Sequence, residues 1–109
     1  MTEISSHVLD TAAGHPAAGV PVSLHARRSD DSWSQLGSAV TNEDGRAVGL
    51  AGAAGASPGV HRLVFDTAVY LGPSAFFGEV TVAFEVDDDE RLHIPLLLSP
   101  YGYSVYKGS

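Results

Sequence analysis

The sequence predicts an all-β domain: an antiparallel sandwich or barrel of about eight short strands, with room for one short helix. Two observations carry this. Apolar and polar residues alternate with a period of two in most segments, and turn-forming residues separate those segments at regular spacing. A third bounds it: 109 residues is the length of one domain, and no repeat or linker divides residues 1–109.

The elements follow in order. Residues 4–9 form a first strand, ended by Asp10 and the loop through Gly14, His15 and Pro16. In residues 20–26, Val20, Val22 and Leu24 share one side, with Pro21, Ser23 and His25 on the other. A third strand, residues 33–41, comes after the polar turn Ser29-Asp30-Asp31-Ser32. Asn42-Glu43-Asp44-Gly45 is a turn, with Asp-Gly its strongest part, and it delivers Arg46 to the next segment. Residues 47–59, rich in Gly and Ala, read as a short strand and a loop. Residues 60–65 make another strand, and residues 67–71 a single helical turn limited by Pro73. Residues 79–86 alternate strongly, and the acidic run Asp87-Asp88-Asp89-Glu90 reads as a solvated hairpin loop to the strand at residues 92–98. Residues 103–107 close the set after Ser99-Pro100-Tyr101-Gly102.

Composition excludes several functions. Six Lys+Arg against thirteen Asp+Glu leave a net charge of −7, without the cationic patch a nucleic-acid binder needs. The absence of cysteine removes disulfides, thiolate metal sites and cysteine nucleophiles. No stretch approaches the roughly 20 apolar residues that span a bilayer. No basic and apolar leader opens the sequence, so no membrane association and a cytoplasmic location are expected. A chain this small, without disulfide or metal, is expected to gain stability from association with its own copies.

Strand parity sorts the chemistry-bearing side chains. Leu92, Ile94, Leu96 and Leu98 make one apolar face, which puts His93 opposite, with Pro95 and Leu97. In the first strand Ser5, His7 and Leu9 share a face, away from Ile4 and Val8. His7 and His93 thus point away from the core, on faces apolar enough to suggest a covering subunit. Five histidines invite a metal reading, but none forms an H-x-H or H-E-x-x-H pair, so no metal site is expected. His15 reads as a surface turn residue, and His25 and His61 as ordinary strand residues.

Several motifs occur together, in order. Ser6-His7-Val8-Leu9-Asp10-Thr11 with Gly14-His15-Pro16-Ala17, then Asn42-Glu43-Asp44-Gly45-Arg46, then the run from His93-Ile94-Pro95-Leu96 to Tyr103-Ser104, and finally Tyr106-Lys107-Gly108-Ser109 span nearly the whole chain. Together they resemble the signatures of the transthyretin-like 5-hydroxyisourate hydrolases. The resemblance implies an eight-stranded transthyretin (prealbumin)-like β-sandwich with one short helix. It also implies a homotetramer, a dimer of dimers with active sites at the dimer–dimer interface, and no organic cofactor. The implied reaction opens 5-hydroxyisourate, a product of urate oxidation, at the N1–C6 bond. Its product is 2-oxo-4-hydroxy-4-carboxy-5-ureidoimidazoline, on the way to allantoin. By motif position, the resemblance carries over His7, Arg46 and His93 as catalytic residues, with Tyr106 and Ser109 joining them in substrate binding. Lys107 departs from the family's usual arginine and loses its planar, five-donor fork.

These residue types suit the chemistry. Hydrolysis of an amide-like C–N bond needs an activated water, a stabiliser for the oxyanion and a proton for the leaving nitrogen. One histidine serves as base and the other orients water or substrate, and the sequence leaves open which is which. Arg46 holds the developing negative oxygen. No G-x-S-x-G elbow is present, which favours direct attack by water over a covalent intermediate. Two alternatives stand beside this reading: a carrier of a hydrophobic ligand, as transthyretin is, and a purely structural sandwich. A carrier channel has no use for His7, Arg46 and His93 together.

Overall fold

The computed structural model describes residues 1–88 and 91–109. In chain order its strands are β1 (Glu3–Asp10), β2 (His15–Pro16), β3 (Pro21–Arg27), β4 (Trp33–Val40), β5 (Arg46–Ala47), β6 (Gly59–Phe65), β7 (Val80–Val86), β8 (Arg91–Ser99) and β9 (Gly102–Val105). One helix, α1 (Thr67–Leu71), and a 3-10 turn at Gly72–Ser74 lie between β6 and β7.

The strands form two sheets. One runs β2-β1-β8-β9, with β5 also paired to β1; the other runs β4-β3-β6-β7. The predicted alternation holds where it matters for the core. Ile4 and Val8 of β1, and Leu92, Ile94, Leu96 and Leu98 of β8, meet Val22, Leu24, Leu63, Phe65 and Val80 of the second sheet, all buried. Ser6, on a core-facing position, donates its hydroxyl to the Ile94 carbonyl at 2.6 Å, which removes the cost of burying it.

Two expectations are corrected. The sandwich is not wholly antiparallel: β1 and β8 run parallel, with Ser5 beside His93 and His7 beside Pro95. The acidic run does not close a hairpin either, because β7 and β8 lie in different sheets and the connection crosses between them. Of that run, Asp87 and Asp88 are exposed, and Asp89 and Glu90 lie outside the described residues.

The far end of β1 is tied to α1 through Asp10. One carboxylate oxygen accepts the backbone N–H groups of Ala12 and Ala13 at 3.1 and 2.8 Å, and the other accepts the Tyr70 hydroxyl at 2.6 Å. Burial and this bond to Asp10 push the Tyr70 phenol up to about 12. Tyr70→Phe leaves the carboxylate one donor short and is expected to cost about 1 kcal/mol of stability, read from the urea midpoint.

Candidate active site

The outer face of the first sheet gathers the candidate residues. Odd-numbered residues of β1 and β8 point outward, so the parallel register sets Ser5 and His7 alongside His93 and Pro95. On the other edge of β1, β5 pairs antiparallel and puts Arg46 directly opposite His7. Three short segments, distant in sequence, thereby place Arg46, His7 and His93 on one surface.

The turn before β5 is built for this. The Asn42 side-chain oxygen accepts the N–H groups of Asp44 and Arg46 at 2.9 and 3.0 Å, and the Asn42 carbonyl accepts from Gly45 at 2.8 Å. Gly45 has φ +76°, and its carbonyl accepts the Val8 N–H at 2.7 Å. A Cβ there would lie 2.4 Å from the Val8 carbonyl oxygen, so both the dihedral and the close approach demand glycine. The same turn aims the Asp44 carbonyl at His7, whose Nε2–H donates to it at 2.8 Å. A carbonyl only accepts, so the neutral His7 ring carries its proton on Nε2 and its lone pair on Nδ1.

The C-terminal tail closes the site from the other side. Gly108 donates its N–H to the His93 carbonyl at 2.8 Å, forming a bridge outside the regular strands. It sits so close that a Cβ would be 2.8 Å from Cδ2 of the His93 ring. A cavity of about 510 Å³ results, lined by Arg46, His93, Ser109, Ser5 and Gly108, with Glu3, Arg91 and Val48 completing it.

Burial, first, and then the Arg46 guanidinium and His7 hold the His93 imidazole below its usual value of 6.5. A neutral imidazole at physiological pH is therefore the resting form, able to accept a proton.

Not every expected residue shares the cavity. Arg46, His93 and Ser109 line it; His7 adjoins it on the same sheet face without lining it. Tyr106 and Lys107 lie elsewhere, at a second cavity of about 580 Å³ between the sheets, with Val82, Phe84 and Leu92 among its walls. The other histidines are remote in role. His15 donates from Nδ1 to the Pro16 carbonyl, His25 belongs to β3 in the second sheet, and His61 is buried with Nδ1 donating to the Gly59 carbonyl. Among the described residues, no group of three or more His, Cys, Asp or Glu is placed to hold a metal ion. No helix among them is long and apolar enough to cross a membrane.

Sequence reasoning missed Ser5, Gly108, Arg91, Glu3 and Val48. Ser5 was already on the outward face by parity with His7. Only the β1–β8 register, invisible in the pattern, puts it against His93.

Residues 4–108 match the model of the HIUase/Transthyretin family. The chain is 42% identical to the 5-hydroxyisourate hydrolase of Salmonella dublin over 110 residues, covering 97% of this chain and 80% of that relative. Among solved structures it is similar to 5-hydroxyisourate hydrolase from Klebsiella pneumoniae, with a TM-score of 0.85 at 32% identity and 100% of both chains covered. It is also similar to sea bream transthyretin in complex with thyroxine, with a TM-score of 0.88 at 27% identity, covering 96% of this chain and 93% of that one.

Proposed function

The chain belongs to the HIUase/Transthyretin family, and on that premise we propose that it hydrolyses 5-hydroxyisourate at the outer face of its first sheet. The observation that carries the proposal is the convergence of Arg46, His93 and Ser109 on one cavity.

In this reading His93 is the base. Its lowered proton affinity keeps a lone pair available, and it lines the cavity, whereas the Nε2 proton of His7 is committed to the Asp44 carbonyl. Water, losing a proton to His93, attacks C6 of the substrate. Arg46 holds the oxyanion that forms there. The N1–C6 bond then breaks, N1 takes the proton from His93, and C6 leaves as the carboxyl of 2-oxo-4-hydroxy-4-carboxy-5-ureidoimidazoline. His7, beside Arg46, orients substrate or water through its Nδ1 lone pair. Ser109 contributes a hydroxyl to binding, and Tyr106 enters only as the residue that leads the tail towards the cavity.

Arg46 and Arg91 bring two positive charges to a cavity that also carries the Glu3 carboxylate, so cationic donors face an oxygen-rich purine derivative there despite the net charge of −7. No organic cofactor or metal enters the reading, which is of a single-domain cytoplasmic enzyme. The carrier alternative fits the fold shared with transthyretin, but a cavity carrying Glu3, Arg46, Arg91 and His93 is poorly suited to a hydrophobic ligand.

A homotetramer, a dimer of dimers, is part of the proposal. Leu9 and Leu97 lie on the same outward face as His7, and a second copy packed there would enclose the site. Light scattering on the purified protein is expected to give four copies.

The test is the ultraviolet absorbance decay of 5-hydroxyisourate made freshly from urate, with and without the protein. Decay at the spontaneous rate from an assembled tetramer would sink the enzyme reading. The pH profile gives a second check. Protonation of His93 removes the base, so kcat/KM rises with pH and levels off, with its acid inflection below the usual imidazole value of 6.5. An inflection above that value would count against His93.

A further inference from the structure

Ser5 has no place in the reaction as written, yet its hydroxyl oxygen is 2.9 Å from Nδ1 of His93. The contact is fixed by the backbone, since Ser5 and His93 are paired neighbours in the parallel β1–β8 ladder. On the other side of the ring, Gly108 approaches Cδ2 too closely for any side chain. The ring is thus held at its Nδ1 edge by Ser5 and at its Cδ2 edge by the tail. Nε2 has no hydrogen-bond partner among the described residues.

We infer that Ser5 is a positioning residue for His93: its oxygen accepts the Nδ1–H bond, which keeps the proton on Nδ1 and leaves the lone pair on Nε2 for water. The inference rests on His93 being the base in the proposed hydrolysis. A serine hydroxyl can donate or accept. If it donated to Nδ1, the neutral ring would carry its proton on Nε2 and have no lone pair for a water to use. Accepting is the arrangement compatible with a base. It also gains during the reaction: once Nε2 takes the water's proton, the ring is cationic and the Nδ1–H bond to Ser5 becomes charge-assisted, with no heavy atom needing to move. The hydroxyl thereby favours the tautomer that starts the step and stabilises the imidazolium that follows it.

The charged and titratable groups near His93 come from three elements besides the tail: Arg46 on β5, Glu3 and His7 on β1, and Arg91 on β8. All are retained in a Ser5 variant, so a change in the behaviour of His93 isolates the hydroxyl.

The experiment compares wild type, Ser5→Ala and Ser5→Thr in the assembled protein by two measurements. Histidine 15N chemical shifts in the free protein read the tautomer of His93 without substrate. Wild type is expected to show the Nδ1-protonated form, and Ser5→Ala a shift towards the Nε2-protonated form. In steady-state kinetics Ser5→Ala is expected to lose about ten-fold in kcat with KM changed less than about two-fold, as for one hydrogen bond that strengthens in the transition state. The acid inflection of kcat/KM moves to lower pH in Ser5→Ala, because the imidazolium loses an acceptor. Ser5→Thr, which keeps the hydroxyl, restores the wild-type tautomer and kcat. An Nε2-protonated His93 in wild type overturns the inference, as does a folded Ser5→Ala with unchanged tautomer and kcat. Inactivity of wild type itself would overturn the hydrolase reading, and the 15N shifts would still decide whether Ser5 sets the tautomer.

Discussion

His93→Gln is expected to lower kcat for 5-hydroxyisourate hydrolysis by about 100- to 10,000-fold, the range for loss of a general base. Glutamine is chosen because it is close to histidine in size and its amide falls near the position of Nε2, so the packing beneath Gly108 is disturbed little, although the contact of Nδ1 with the Ser5 hydroxyl is given up. It cannot take a proton from water. KM should change far less than kcat, since Arg46, Arg91 and Ser109 still line the cavity. His7→Gln is expected to cost less than His93→Gln, because the proton on His7 Nε2 is held by the Asp44 carbonyl and an amide N–H can replace it there. Initial rates of absorbance decay, measured on variants with wild-type circular dichroism and size, check the order. A larger loss at His7 than at His93 would reverse the assignment of the base.

Gly45→Ala is expected to damage stability and catalysis together. The residue has φ +76°, it is buried, and an added Cβ would press to 2.4 Å from the Val8 carbonyl oxygen and 3.0 Å from Cβ of Pro16. The clash is with backbone and cannot be relieved by rotating a side chain. Left-handed strain and overpacking together put the cost at about 2–4 kcal/mol, a fall in melting temperature of roughly 10 °C or more for a domain of this size. Any relaxation moves the turn, and the turn carries both Arg46 and the Asp44 carbonyl that holds His7. Activity should therefore drop even at temperatures where the variant stays folded. Thermal melting with parallel rate measurements at 15 and 25 °C separates the two effects. A variant with wild-type melting and rate would show that the turn can shift without consequence.

Much of the architecture was legible because its signals are local. Alternation assigned Ile4, Val8, Leu92, Ile94, Leu96 and Leu98 to the core and turned His7 and His93 outward, as observed. Pro73 bounded a helix of one turn, which appears as Thr67–Leu71. Asp-Gly announced the turn before Arg46, and Gly45 takes the positive φ that such a turn requires.

What stayed hidden depends on which strand lies next to which. A period of two names the face of a residue but not its neighbour, and it reads the same in parallel and antiparallel pairs. The acidic run after Val86 therefore looked like a hairpin loop, although the chain there leaves one sheet for the other. Ser5 looked like filler on an outward face until the register set it beside His93. Tyr106 and Ser109 are three residues apart on the tail, yet they border different cavities. By itself the sequence determined the strands, their inward faces, the turn that carries Arg46 and the family motifs. The tertiary structure alone decided that β5, β1 and β8 lie side by side, with the tail folded back on β8, because strand partners are chosen by burial and hydrogen bonding across the whole sandwich and not by neighbours along the chain.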